Sequence, residues 1–451
     1  MRESREFIRH ALALALPVMV QQLLNSLLNM TDTVMVGMIG ENAISGVAVA
    51  NKVFSIYQMI LFGLSNGFGI FISQYGGSGQ RDRITDVFNE GLRSCLVVGG
   101  LGIVICGCFQ DEILGLYLKN VEVAVLAKRY LSVLLVSFLP FAATNMYSVC
   151  FRSLEMPRCT LIAGTVSFLF NVVGNYVLMF GKWGFPALGV AGAAVSTVIS
   201  RFIELAMLYG LGRKYLADVR LKLRYAMGMR FRGMIWKRAV PLMTNELIWS
   251  VGLNVIFISY SYAGESFIPA VTVVDSINNL VYVVFSGCSV AISAIIGKTL
   301  GSGALEQAQK EVRTVIKLVL AIYLTGGVIL IATSPVTPRL FSLSDANLHM
   351  AARLLIVKAL FAWTQGYSNT VYYVLRSGGD TKSVLIIDGI FTWLGPVLLS
   401  IVGARFLHLN IMWTYLLVEG AGLLKVCLAT YFLRKGNWIR NLTLQEESLD
   451  G

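Results

Sequence analysis

Apolar residues fill twelve long stretches of this chain, and polar residues are concentrated in the short segments between them. Each stretch is about 20 residues or longer, which is enough for an α-helix to cross the ~30 Å hydrocarbon core of a bilayer. Because lipid offers the backbone no hydrogen-bond partners, continuous spans of this length are predicted to be helices. The predicted spans cover 11–36, 43–73, 87–109, 122–150, 160–181, 188–211, 239–261, 267–297, 313–334, 348–375, 383–403 and 411–433.

The pattern repeats at a constant offset of 224 residues. Pro17 aligns with Pro241, and the Gly-Ser-Gly run at 77–79 aligns with the same run at 301–303. Such a repeat indicates a duplicated unit. Each half holds six spans, an even number, so both copies enter the membrane the same way up and are parallel repeats. The sequence therefore predicts an all-α polytopic membrane protein with twelve transmembrane helices in two parallel six-helix repeats.

Composition and charge support this class. Only 14% of the 451 residues are charged, against about 25% in soluble domains. The net charge of +12 is placed mainly in the segments that share a side with the N-terminus, above all in the segment 213–238. This positive-inside pattern predicts a multi-pass plasma-membrane protein with both termini in the cytoplasm. The basic charge thus sets topology, and we expect no nucleic-acid partner.

The predicted domain organisation follows from the repeat and from the charged segments. We expect an N-terminal six-helix lobe at 1–212, a cytoplasmic linker at 213–238, a C-terminal lobe at 239–433 and a cytoplasmic tail at 434–451. Two such lobes in one monomer suit alternating access about a central cavity. The sequence shows no ATP-binding motif, nucleophile–base spacing or metal-ligand cluster, so we expect no enzyme activity and no bound cofactor.

Polar side chains inside the first span form one stripe at helical spacing. An ionisable group at bilayer depth costs at least about 2.5–3.5 kcal/mol, so each requires a reason. Gln21 or Gln22, followed by Asn25 and Asn29, leads to Asp32. Asp32 either caps a neighbouring helix or hydrogen-bonds to a loop, or it takes up and releases a proton or Na⁺ in a low-dielectric environment.

Other spans carry further candidates. Asn171 and Asn175 share a face of the fifth span, where their amides either ligate a hard cation or join helices. The deep position of Glu246 in the seventh span favours a functional role for its carboxylate. Asp275 and Asp388 either line a cavity or are satisfied core groups. Two further sets have structural readings: Arg201 with Glu204 as a pair, and Glu419 and Lys425 in the twelfth span. Tyrosines that include Tyr367 either bind cationic or planar ligands through their ring faces or serve packing.

These segments together resemble the multidrug and toxic compound extrusion (MATE) family of bacteria, with mixed NorM-like and DinF-like features. The resemblance covers nearly the whole chain and rests on segments such as LALPVMVQQLLNSLLNMTDTVMVG, LFGLSNGFGIFISQYGGSG, FNVVGNYVLMFGKWG and VPLMTNELIWSVG. It implies a V-shaped architecture of two six-helix lobes. It also implies antiport, in which polyaromatic and cationic compounds leave against an inward H⁺ or Na⁺ gradient.

The resemblance also implies roles for residues of the first half. Asp32 matches a first-helix aspartate implicated in cation binding, and Asn171 matches its fifth-helix partner, so these two are the possible Na⁺ ligands. Asn175 stands where many members have an aspartate, which puts a four-ligand site of that kind in doubt. Thr197 is the candidate for the sixth-helix hydroxyl. Pro17 matches a first-helix proline and is the candidate hinge, because proline removes one helical hydrogen bond.

In the second half, Glu246 matches the seventh-helix glutamate of the NorM-like and eukaryotic branches. The tenth-helix aspartate of those branches is missing, with Gln365 or Asn369 near its position, and Asp388 is the candidate substitute. The expected cation-coupling residues are Asp32, Asn171, Asn175, Thr197, Glu246 and Asp388. The expected substrate-cavity residues are Gln22, Asn25, Asn29, Asp275, Tyr367 and Asn369.

The functional hypothesis is therefore a secondary antiporter for multidrug efflux, coupled to H⁺ or Na⁺. Its partners are small amphipathic or cationic molecules, the coupling cation and the lipid bilayer. One alternative is a flippase for lipid or lipid-linked saccharide in the same superfamily, for which more helices and a more cationic cavity are expected. A second alternative, a membrane receptor or scaffold, predicts neither an internal repeat nor carboxylates in both halves.

Overall fold

The computed structural model describes residues 2–117, 120–217, 219, 221, 227–341 and 343–444. All regular elements within these ranges are helical. Parts of the predicted linker (218, 220 and 222–226) and of the predicted tail (445–451) lie outside the described residues.

Twelve long helices follow the twelve apolar stretches. They are α1 (Arg2–Gly37), α2 (Glu41–Ser78), α3 (Arg81–Cys108), α4 (Val121–Ser153), α5 (Pro157–Phe180), α6 (Val190–Tyr215), α7 (Met229–Gly264), α8 (Ile268–Gly301), α9 (Leu305–Thr333), α10 (Asp345–Ser377), α11 (Thr381–Phe406) and α12 (Ile411–Lys435). Among the described residues, eleven of these helices are long and apolar enough to cross a membrane, and α8 contains a shorter apolar segment, Gly287–Gly301. The all-α, multi-span prediction is confirmed.

Two helices depart from regular α geometry. A 3₁₀ turn at Leu135–Ser137 interrupts α4, and π-helical turns at Leu385–Ile390, Trp393–Val397 and Val402–Phe406 widen α11. Pro396 lies in the second of these turns. Proline cannot donate a backbone hydrogen bond, and wider turns accommodate that loss.

The described chain divides into two compact units. The N unit comprises residues 16–232, and the C unit comprises residues 1–15 with residues 233–451. The division falls inside α1, immediately before Pro17, which is an interior residue of that helix. The predicted lobe boundaries at 1–212 and 239–433 remain a prediction.

The predicted linker is helical at both of its ends. Helix α6 continues to Tyr215, and α7 begins at Met229 rather than near residue 239. Phe231 is buried in the N unit, where its ring meets that of Phe71 edge-on at 6.0 Å between centroids. Phe231 and Ile235, which is also buried, are four residues apart on one helix face. The surrounding basic residues hide this short apolar stripe from a reading based on charge.

Helices α5 and α6 approach each other closely because glycines lie at their contact. A Cβ atom on Gly174 would lie 2.5 Å from Ser196 Oγ, and one on Gly192 would lie 2.6 Å from the Leu178 carbonyl oxygen. Any larger side chain would push the two helices apart. The glycines therefore bring polar residues of α5 and α6 within hydrogen-bond reach.

The segment after α12 folds back onto the C unit. Trp438 and Leu442 are buried, and Asn441 Nδ2 donates to the Gly301 carbonyl oxygen at 3.1 Å. A Cβ atom on Gly378 would overlap the Trp438 carbonyl oxygen. This C-terminal strap (residues 436–444) thus packs against the ends of α8 and α10.

Candidate functional site

A hydrogen-bonded polar network lies inside the N unit and joins α1, α5 and α6. Asn175 Nδ2 donates to Asp32 Oδ1 and, at 3.2 Å, to Asn171 Oδ1. Asn171 Nδ2 in turn donates to Thr197 Oγ1 at 3.3 Å and to Ser200 Oγ at 3.4 Å. The structure therefore brings four of the six predicted cation-coupling residues together: Asp32, Asn171, Asn175 and Thr197.

The direction of every bond in this network is set by the backbone of α6. The Thr197 and Ser200 hydroxyl groups spend their protons on the carbonyl oxygens of Ala193 and Thr197, at 3.0 and 2.8 Å. Both hydroxyl oxygens are then acceptors, so Asn171 must turn its amide nitrogen towards them and its oxygen towards Asn175. Asn175 must therefore present its amide nitrogen to Asn171 and to Asp32. The hydrogen-bond directions in this network therefore favour an ionised Asp32.

The Asp32 carboxylate has a charged neighbour but forms no salt bridge with any described residue. Among the described residues no cation lies within ion-pair distance of Asp32, although Arg201 is close enough to act on it electrostatically. Arg201 is engaged by Glu204, with Nη1 and Oε2 2.8 Å apart. The predicted Arg201–Glu204 pair is confirmed. Tyr130 also lies near Asp32 and Thr197.

The donor set of this network suits a hard monovalent cation. Carboxylate, amide and hydroxyl oxygens are the ligand types that such ions prefer. Asn175 Oδ1 is buried and has no hydrogen-bond partner among the described residues, although buried amide oxygens are normally satisfied. The residues present therefore fit a cation held by Asp32 with amide and hydroxyl oxygens. Within the described ranges no cluster of three or more His, Cys, Asp or Glu side chains is found.

The other polar residues of the first span do not join this network. Gln22 is half-buried, and its Oε1 accepts from Asn25 Nδ2 at 3.1 Å. Asn25 and Asn29 are exposed. Gln21 is the residue that reaches α5, because its Oε1 accepts from Thr160 Oγ1 at 3.1 Å. Gln22, Asn25 and Asn29 thus lie along an accessible stripe of α1.

Glu246 lies in a different setting, within the C unit. Its carboxylate is buried and accepts a hydrogen bond from the Tyr372 hydroxyl group at 3.1 Å. Arg376 and Asp388 are close enough to act on it electrostatically. The Glu246 carboxylate of α7 is therefore hydrogen-bonded to α10.

Asp388 is ion-paired. Lys425 Nζ lies 2.7 Å from Asp388 Oδ1, and Asn245 Nδ2 donates to Asp388 Oδ2 at 3.1 Å. A second pair joins Lys358 Nζ to Glu419 Oε1 at 2.7 Å. Glu419 and Lys425 are each held in an ion pair with another helix, and their structural role remains a prediction. Sequence reasoning did not single out Lys358 or Asn245, because their partners lie far along the chain.

The remaining predicted cavity residues belong to the C unit. Tyr367 is half-buried, and its hydroxyl group bonds to Thr430 Oγ1 at 2.8 Å. Asn369 is half-buried on α10, and Asp275 is exposed on α8. The six predicted cavity residues are thus divided between the two units.

Comparison with known proteins gives a consistent result for both halves. The MatE family's sequence model matches residues 17–177 and again 241–401, and these two ranges are offset by the same 224 residues as the internal repeat. The probable multidrug resistance protein NorM of Thermotoga maritima is 25% identical over 99% of this chain and 96% of its own length. The multidrug resistance protein MdtK of Yersinia pestis is 24% identical over 86% of this chain and 85% of its own length.

Solved structures share the fold at low sequence identity. The MATE transporter VcmN of Vibrio cholerae superposes with a TM-score of 0.89 at 15% identity, covering 97% of this chain and 100% of that one. A transporter of the MOP superfamily from Pyrococcus furiosus gives a TM-score of 0.86 at 17% identity, covering 95% of each chain.

Proposed function

Because the chain belongs to the multidrug and toxic compound extrusion (MATE) family, we propose that it is a secondary antiporter that exports amphipathic, cationic or aromatic compounds in exchange for inward H⁺ or Na⁺. Membership makes it a multi-pass membrane transporter of the multidrug efflux type. The coupling reaction, the bacterial inner-membrane location and the cytoplasmic termini are parts of the proposal.

The observation that carries the proposal is the Asp32 network. Asn175 donates most strongly to Asp32 while that carboxylate is ionised, because hydrogen bonds to charged acceptors are the stronger ones. A proton or Na⁺ on the carboxylate would take up part of its acceptor capacity and offset its negative charge. Either cation would therefore weaken the Asp32–Asn175 hydrogen bond, which ties α1 to α5. Cation binding would thus change the contact between α1 and α5. Antiport requires such a coupling between cation binding and conformation.

Pro17 fits this mechanism as a hinge. It lies inside α1, the helix that carries Asp32, and it removes one backbone hydrogen bond from that helix. Release of Asp32 from α5 would leave the segment after Pro17 free to bend. Glu246 is the second candidate for cation exchange, since its carboxylate is buried beside Tyr372.

The test is efflux from proteoliposomes loaded with a fluorescent organic cation, under a pH gradient and, separately, a Na⁺ gradient. We expect one of the two gradients to drive export. Asp32→Asn should abolish gradient-driven export, because an amide cannot take up the cation, and Glu246→Gln should do the same if that carboxylate also exchanges. Both variants should still insert and purify.

Asp111→Asn is the matched control. Asp111 is an exposed carboxylate paired with Lys128 and has no hydrogen bond to a residue of the network, so its removal should leave export unchanged. Export that responds to neither gradient, or that survives Asp32→Asn and Glu246→Gln together, would reject antiport.

The flippase alternative predicts a cationic binding surface for phosphate-bearing lipids. The buried lysines of the C unit, Lys358 and Lys425, are each neutralised by a carboxylate, which favours the antiporter. Movement of a labelled lipid between leaflets in the same proteoliposomes, without export of the organic cation, would favour the flippase.

A further inference from the structure

Two buried lysines in the C unit carry carboxylate partners of their own. Lys358 and Glu419 side chains are 14% and 16% exposed, and Lys425 and Asp388 side chains are 18% and 13% exposed. In both pairs the nitrogen and oxygen are 2.7 Å apart. Charges this far from solvent persist only when they are paired.

Three further oxygen-bearing side chains lie within electrostatic range of the Lys358–Glu419 pair. Asp275 on α8 is near enough to act on both charges. Tyr260 and Tyr415 pack with their ring centroids 5.4 Å apart, and both feel the charge of Glu419. The Tyr415 hydroxyl group is buried without a hydrogen-bond partner among the described residues. Glu419 is thus the direct partner of Lys358, and Asp275 and two tyrosines lie within electrostatic range of the Glu419 carboxylate.

The Lys358–Glu419 pair is largely buried beside the apolar core of the C unit, whereas Asp275 is exposed. The buried residues of this core include Val271 and Val274 of α8, Leu354 and Leu355 of α10, and Val418 of α12. In such surroundings a carboxylate needs a nearby positive charge or a proton. Lys358 supplies that charge from within the chain.

The N unit differs at the repeat offset. The positions that correspond to Lys358, Glu419 and Asp275 are Leu134, Val195 and Asn51, so the first pair has no counterpart there. Lys425 corresponds to Arg201, which pairs with Glu204 of its own helix, and Asp388 corresponds to Gly164. The Asp32 carboxylate, unlike Glu419 and Asp388, accepts from the Asn175 amide and has no ion-pair partner among the described residues.

We infer that Lys358 and Lys425 are tethered cations: their ammonium groups permanently occupy carboxylate sites of the C unit that would otherwise take an exchangeable monovalent cation. Glu419 and Asp388 are then closed to exchange, and Asp388 is removed from the set of coupling residues. Exchange is confined to Asp32 and, where it takes part, Glu246. This inference rests on the proposed antiport for its meaning, but not for its test.

The test counts Na⁺ bound to purified full-length protein in detergent at alkaline pH, by equilibrium dialysis with radioactive Na⁺. Lys358→Ala should bind one more saturable Na⁺ per chain than the unsubstituted protein, because Asp275 and Glu419 are left without their cation. n-Propylammonium, which matches the part of the lysine side chain that alanine lacks, should displace this added Na⁺. The double variant Lys358→Ala/Glu419→Gln should show no gain. Lys425→Ala and Lys425→Ala/Asp388→Asn should behave as the equivalent pair.

A Lys358→Ala protein that is monodisperse, melts cooperatively and binds no additional Na⁺ would overturn the inference. Where Lys358→Ala does not fold, Glu419→Gln decides: we expect it to bind as much Na⁺ as the unsubstituted protein. A loss of bound Na⁺ in Glu419→Gln would show that this carboxylate already exchanges a cation, and would equally overturn the inference. These binding counts need no transport, so a failure of gradient-driven export would reject the proposed function alone.

Discussion

At the scale of single residues, the Asp32 site is defined by the direction of its hydrogen bonds. Two hydroxyl groups on α6 commit their protons to backbone oxygens, and this choice passes through Asn171 and Asn175 to Asp32. A carboxylate in a low-dielectric environment is costly unless donors solvate it. The Asn175 amide donates one such hydrogen bond without fixing a positive charge. Asp32 is therefore left without a fixed counter-ion and can accept a cation.

A substitution of Thr197 tests whether the α6 hydroxyl groups set the orientation of the Asn171 and Asn175 amides. Thr197→Val keeps the shape of the side chain but removes one of the two acceptors of Asn171 Nδ2, and loss of a hydrogen bond costs about 0.5–1.5 kcal/mol. Asn171 is then held only by Ser200 Oγ at 3.4 Å, so the orientations of its amide and of the Asn175 amide are less firmly set. We expect the apparent affinity for the coupling cation to change by about tenfold, measured as the cation dependence of export from proteoliposomes.

Thr165→Val is the control for that experiment. Thr165 is on α5, and its hydroxyl group donates only to the Leu161 carbonyl oxygen of its own helix, at 2.8 Å. Equal effects of the two substitutions would contradict a specific role for Thr197.

Spacing within one helix made part of this site predictable from the sequence. Asn171 and Asn175 are four residues apart and must share a helix face, and Asp32 is conspicuous as a carboxylate in an apolar span. The lysine pairs were not predictable in the same way. Lys358 and Glu419 are 61 residues apart, on different helices, and nothing local to either residue specifies its partner.

At the scale of helices, the α5–α6 hairpin holds the network together. Its glycines remove the side chains that would separate the two backbones. Ser196 Oγ also donates across the contact to the Asn171 carbonyl oxygen at 2.8 Å. The close approach is therefore what allows short side chains of α6 to reach amide groups of α5.

Gly192→Ala should loosen this hairpin. The new methyl group would meet the Leu178 carbonyl oxygen, and overpacking of this kind costs about 1–3 kcal/mol. We expect a lower thermal unfolding midpoint, and weaker export because Thr197 moves away from Asn171. Gly210→Ala is the control on the same helix, since nothing lies within 4 Å of a Cβ atom at that position. A destabilisation as large in Gly210→Ala would point to helix propensity or insertion rather than to packing.

Helix existence was predictable here, whereas helix ends were not. Hydropathy marks where a span leaves the lipid, but backbone hydrogen bonds continue into polar sequence. Helix α9 accordingly begins at Leu305 rather than near residue 313, and α7 begins at Met229. The start of α7 depends on the burial of Phe231, a tertiary contact that charge patterning conceals.

At the scale of the whole molecule, the internal repeat has preserved helices and changed chemistry. The family match falls on both halves at the repeat offset, so the scaffold is duplicated. At the same offset Asp32 corresponds to Ile256, Asn171 to Gly395, and Glu246 to Gln22. Duplication fixed where helices lie in the sequence, and later substitution decided which positions carry charge.

The proposed topology has a direct test. In a variant whose seven cysteines are replaced, Trp183→Cys in the α5–α6 loop should react with a membrane-impermeant thiol reagent added to intact cells. Asp82→Cys, at the start of α3, should react only after the membrane is permeabilised. Both positions are exposed, so access to the reagent depends on the side of the membrane. The reverse pattern would invert the topology predicted from the basic loops.

The C-terminal strap has a practical consequence for anyone who labels this protein. Trp438 and Leu442 are buried and Asn441 holds the end of α8, so residues up to Leu444 belong to the folded body. A reporter fused directly after Lys435 would replace the strap and leave the glycine turn at Gly378 uncovered. A reporter fused after Leu444 would leave those contacts in place. Loss of folded protein in the shorter fusion alone would therefore report on the strap, not on the reporter.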